Sequence, residues 1–181
     1  MRIFLVAVFG FVGALFSQSY DLKTEKEKIA KIEAAVAAGD NPTLIAACEA
    51  LLDPHRINAL AYYTCGKNLL FVKEADPARA RAYARTAYKR LKVAADDFAK
   101  TGKQVYFALD AQQYLGLAAM HFGDLDRAQV HFRQVLGRDN RMPAAWYNLG
   151  VIYELKGLQE ESMRAFDRYL RLKGTSDATD F

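Results

Sequence analysis

The stretch Ala145-Trp146-Tyr147-Asn148-Leu149-Gly150-Val151-Ile152-Tyr153 decides how the chain is read. Its apolar residues recur three and four apart, which is the period of a helix with one buried side. Gly150 sits in the middle of that pattern, where a helix gains nothing from glycine unless a neighbour must come close. Thirty-four residues upstream the pattern returns. Leu115-Gly116 matches Leu149-Gly150, Gly123 matches Gly157, and Phe132 matches Phe166. Ala128 meets Ser162 at the same offset, another small residue. A repeat of 34 residues with two helices per unit marks a stacked helical array.

Trp146, Leu149-Gly150, Tyr153, Gly157 and Phe166 stand at the spacing of a tetratricopeptide repeat, and the segment closely resembles one. The preceding unit keeps Leu115, Gly116, Gly123, Ala128 and Phe132, with Gln112 where the Trp would be and Ala119 where the Tyr would be. Further upstream the resemblance thins to Cys65-Gly66 as a degenerate Leu-Gly, Tyr62 in the Trp position and Ala78 in the second helix. Small residues let two helices approach, and the large rings fill the space between them. These positions account for a fold rather than a site.

Outward from the repeats, the rest of the chain reads as helix too. Helices are expected over Leu22–Ala38, Pro42–Leu52, Arg56–Val72, Pro77–Lys100, Lys103–Phe122, Leu125–Leu136, Pro143–Lys156 and Leu158–Leu172. Asp76-Pro77 is a cap followed by a first helical residue. No alternating strand pattern occurs. The expected fold is all-α, a right-handed solenoid of about four helical hairpins. Residues 20–102 form degenerate repeat-like helices, 103–173 form two tetratricopeptide repeats, and 174–181 are a solvated, flexible tail.

The first 19 residues read as a processing signal. Arg2 gives a basic start, Ile3 to Phe16 is an almost unbroken apolar run, and Ser17-Gln18-Ser19 offers small residues before a cut. That run is shorter than the roughly 20 residues a spanning helix needs. The expectation is export: to the periplasm in a Gram-negative source, otherwise secreted or held at the membrane by an uncleaved N-terminus. Cys48 and Cys65 would then meet an oxidising compartment, where they could pair as a disulfide or remain two small buried side chains.

The resemblance implies a concave groove lined by the first helices of successive repeats. By repeat position its lining is Tyr63, Lys67, Gln113, Tyr114, Leu117, His121, Tyr147, Asn148, Val151 and Glu154. Tyrosine joins wide contact area to a polar tip, which suits peptide binding. The family's carboxylate clamp is not supported, because Gln113 and Leu117 stand where Lys and Asn would be needed.

Other chemistry finds little footing. The chain carries 25 basic and 21 acidic residues, a net charge of +4, which does not call for a nucleic-acid partner. The arginines and lysines from Arg79 to Lys92 read as a solvated face. Asp96-Asp97 and Glu160-Glu161 diverge on a helix and make poor acid/base pairs. His55, His121 and His131 lack metal-ligand spacing, and no phosphate-cradling loop or nucleophile elbow occurs. The reading is a binding protein without cofactor, whose partner is another protein or peptide segment. The alternative is a structural subunit of an envelope assembly, held through its outer ridge or repeat ends.

Overall fold

Aspartate and glycine punctuate a run of eight helices in the computed structural model, which describes residues 22–52, 58–102 and 105–177. The helices are α1 (Leu22–Ala38), α2 (Asn41–Leu51), α3 (Ala59–Leu69), α4 (Pro77–Thr101), α5 (Val105–His121), α6 (Leu125–Arg138), α7 (Pro143–Leu155) and α8 (Gln159–Asp177). Among the described residues there is no strand. Asp40, Asp76 and Asp124 each accept a hydrogen bond from a backbone N–H in the following first turn, which satisfies a donor the helix leaves open. Gly123 and Gly157 close α5 and α7 at φ of 88° and 74°, a conformation that side chains disfavour.

Neighbours in sequence fold back on one another as four hairpins: α1–α2, α3–α4, α5–α6 and α7–α8. Between hairpins, α1 meets α3, α3 meets α5, and α5 meets α7. Among the described residues the backbones of even-numbered helices stay apart from one another, and side chains bridge them, as Tyr88 of α4 reaches His131 of α6 and Arg90 of α4 reaches Glu49 of α2. The odd helices therefore form one continuous inner layer and the even helices an outer one. The core is a chain of local clusters, as in solenoids. One joins α1, α2 and α3 around Ile32, Leu44 and Cys48; one joins α3, α4 and α5 around Leu91, Phe98 and Leu115; one joins α5 to α8 around Phe132, Leu149 and Ile152.

Glycine sets the hairpin spacing. A Cβ on Gly116 would lie 2.7 Å from the Phe132 ring, and one on Gly150 would lie 2.7 Å from Phe166. Gly66 repeats the device upstream, with Leu91 at 2.6 Å and the Ala87 carbonyl at 3.1 Å. This corrects the assignment of Ala78. Ala87 and Leu91 are spaced as Ala128 and Phe132 are, and both are fully buried, whereas Ala78 is exposed. The reason is the length of α4. It reaches its packing position about two turns later than α6, which reaches its own in the first turn.

Residues 174–177, the first half of the expected tail, continue α8. Gly174 has no positive φ and so does not turn the chain. Residues 178–181 lie outside the described residues. So do the signal at 1–19, the start of the third expected helix with His55, and residues 103–104. No described helix is long and apolar enough to cross a membrane.

Candidate functional site

The ten residues expected to line a groove divide into separate environments. Tyr63 is only 5% exposed and belongs to the core between α3 and α5. Its ring lies edge-on to Phe107 at 5.3 Å and to Tyr114 at 6.2 Å, and its hydroxyl donates to Asp110 on α5. Tyr63 therefore acts as a joint between hairpins. A helix positions a residue to within about 100° of arc, and α3 is turned far enough to bury this one.

Lys67 stands one turn further along α3 and stays accessible. Its ammonium lies 5.2 Å from the Tyr114 ring centre and 5.9 Å from that of Tyr63, within reach of cation–π attraction. Phe71 meets Tyr114 edge-on at 6.3 Å and is itself 54% exposed. A cleft of about 300 Å³ opens here, floored by Tyr63 and Phe107 and rimmed by Glu33, Thr64, Lys67 and Asn68. The cleft is framed by α1, α3 and α5.

Leu117 is half-buried against the C-terminal cluster, and His121 is exposed at the end of α5. On α7, Val151 is half-buried and Glu154 exposed. Gln113 is engaged already, its amide donating to Met142 Sδ at 3.4 Å and so tying α5 to the start of α7. Tyr147 and Asn148 lie elsewhere. Tyr147 packs on Phe166 and Tyr169 of α8 at 5.7 and 5.3 Å. With Tyr169 and Lys173, the two residues line a second hollow of about 450 Å³ at the far end of the array.

Sequence reasoning missed a polar network between hairpins. Gln112, in the position of the family's Trp, accepts from His131 Nδ1 at 2.8 Å. That fixes the ring's other nitrogen as an acceptor, and Tyr88 donates to Nε2 at 3.0 Å. α4, α5 and α6 are thereby joined. Burial, then the charges of Lys92 and Arg127, hold the His131 imidazole below its usual pKa. The signal was present: a polar residue stands where the repeat puts a ring, so a partner had to fill the space.

Cys48 and Cys65 are both fully buried and stand as free thiols across α2 and α3. Cys65 Sγ lies 3.6 Å from the Cys48 carbonyl. The hydrogen bond from Cys65, aided by the charge of Arg90, makes Cys48 the more acidic of the two, while that bond and burial raise Cys65. Arg90 also pairs with Glu49, leaving its Nη1 buried without a partner. Among the described residues, no group of His, Cys, Asp or Glu is placed to hold a metal.

Residues 115–177 match the family model of the tetratricopeptide repeat. The matched segment begins at Leu115 on α5 and runs through α8, the part of the chain where the 34-residue spacing is clear. A crystal structure of MamA is similar over 87% of this chain and 83% of its own, with a TM-score of 0.66 and 22% identity. That likeness is one of fold. A further structure, MamA MSR-1 C2, is 17% identical over 84% of this chain and 98% of its own, with a TM-score of 0.38. No curated protein matches in sequence.

Proposed function

We propose that this chain is an exported adaptor that holds a segment of a partner protein along its inner layer. One observation carries the reading: α1, α3, α5 and α7 lie side by side as one uninterrupted surface. Its accessible residues are of the kinds that grip peptides. Lys67 and Tyr114 offer a cation and an aromatic edge beside the N-terminal cleft, while Leu117, Val151 and Glu154 continue the face toward α7. A groove built on helices is rigid before binding, which reduces the ordering cost of association. The reading requires no cofactor, since shape and a few polar contacts suffice.

Export is supported by the basic start, apolar run and small residues of 1–19. In an oxidising compartment Cys48 and Cys65 are placed to form a bridge by exchange with a disulfide oxidant, joining α2 to α3. Mass measurement of the unreduced, alkylated protein isolated from its source tests both points. The expected species begins at Tyr20 and takes no alkyl group. A mature protein that retains Met1 sinks the cleavage reading, and full alkylation of both cysteines sinks the bridge.

For the groove, Lys67→Glu combined with Val151→Asp leaves helicity unchanged and lowers partner capture in intact cells at least tenfold. Undiminished capture by a folded double variant would overturn the assignment.

A further inference from the structure

At the end of the array opposite α1, the α7–α8 hairpin has no further helix of the described residues packed on it. The preceding repeat shows how such a helix packs. There α7 lies across the α5–α6 hairpin, and Phe132, Val135 and Leu136 of α6 pack in one cluster with Ala145 and Leu149 of α7. Gln113 is capped by Met142 in the same join. Advancing by one repeat of 34 residues turns Phe132, Val135 and Leu136 into Phe166, Tyr169 and Leu170, and Gln113 into Tyr147. The apolar character is kept and Tyr147 increases it. Yet Leu170 is 64% exposed, Met163 65% and Tyr147 47%. Met163 and Leu170 are seven residues apart and so share one side of α8, and exposed apolar side chains grouped on one face mark a contact surface.

We propose that this end face binds an amphipathic helix of a partner protein, laid across α7–α8 as α7 is laid across α5–α6. The internal join also specifies the chemistry of that helix. Its buried side carries a small residue where Ala145 sits, flanked by larger apolar side chains one turn away, as Met142 and Leu149 are. Its second half is basic. In the internal join, Lys156 reaches back from just beyond α7 to Asp126 Oδ1 at 2.7 Å, and Arg133 donates to the Tyr153 hydroxyl at 3.1 Å. One repeat on, Glu160 replaces Asp126 and Asp167 replaces Arg133, so two carboxylates face the incoming helix instead of one carboxylate and one guanidinium. Each pairs with an exposed arginine one turn along α8, and such pairs contribute little in water.

A second copy of this chain fits the face poorly. Among the described side chains, the exposed side of α1 presents Ala30, Ala34 and Ala37 among Glu27, Lys31 and Glu33, with no large apolar residue.

The test uses a fluorescent, helix-stapled peptide of residues 141–157, added to the full-length protein and followed by anisotropy. Saturable binding is expected, weakened at least tenfold by Leu170→Glu and, separately, by Met163→Glu. Both sites are exposed, so circular dichroism should not change, and either variant suffices if the other misfolds. Changing the peptide's Lys156→Glu should also weaken binding. Absence of saturable binding, or equal affinity for wild type and both variants, overturns the proposal. So does a reversible dimer in sedimentation velocity that Leu170→Glu dissolves, because a second copy would then own the face. Neither substitution touches the inner layer, so this result is independent of the groove.

Discussion

Gly116 and Gly137 are both helical glycines, and the structure gives them opposite roles. A methyl on Gly116 would enter the Phe132 ring, whereas one on Gly137 would meet nothing within 4 Å. Gly116→Ala should therefore cost about 1–3 kcal/mol through overpacking, while Gly137→Ala should gain up to about 1 kcal/mol from helix propensity. Urea denaturation of the two variants checks this, and equal effects would contradict it. At His131 the sign of the pH effect follows from its environment. The unfolded chain takes up a proton near pH 6.5, while the folded protein holds the ring neutral to lower pH. The contribution of His131 is therefore whole above about pH 6.5 and is lost as pH falls from there through the lowered value. Between pH 7.5 and 5 the melting temperature of wild type should fall further than that of His131→Gln. Parallel curves would remove His131 from the account. At this scale the sequence reveals residues whose spacing repeats, such as Trp146 and Gly150. It conceals Tyr63, whose burial depends on how far α3 is rotated against Phe107 on another hairpin.

Most helix ends were legible, because they rest on local chemistry: an aspartate cap, a proline in the first turn, a glycine past the last. The register of α4 was not. Its periodic pattern is continuous over 25 residues, and nothing local says which turn meets Gly66. Only the close approach of Ala87 and Leu91 decides that. The join above it has a consequence for motion. α1 and α2 touch the remaining helices along α3, with side-chain ties from Glu49 to Arg90 and from Asn41 to the Lys73 carbonyl. The cysteines sit on this seam. In the reduced protein, the first hairpin should detach as a unit below the cost of global unfolding. A thiol reagent added under native conditions should then label Cys48 and Cys65 together and faster than the protein unfolds. Labelling at the global unfolding rate would mean that the four hairpins open as one.

For the molecule as a whole, the stack was legible from a 34-residue spacing, but the surface it exposes was not. Repeat position alone put Tyr63 and Tyr147 in one groove. The folded array puts Tyr63 in the core and turns Tyr147 toward α8, because α8 has no following helix among the described residues to close over it. The proposed contact surface rests on Lys67 and Tyr114 at one end and Val151 and Glu154 at the other. The central claim is that this inner layer holds the partner. A photo-reactive amino acid placed at position 151 in living cells, compared with one at Val130 on α6, tests it most directly. Val130 is 54% exposed and lies in the outer layer. The account predicts a discrete crosslinked partner band from 151 and none from 130. The same band from 130, with nothing from 151, would contradict it.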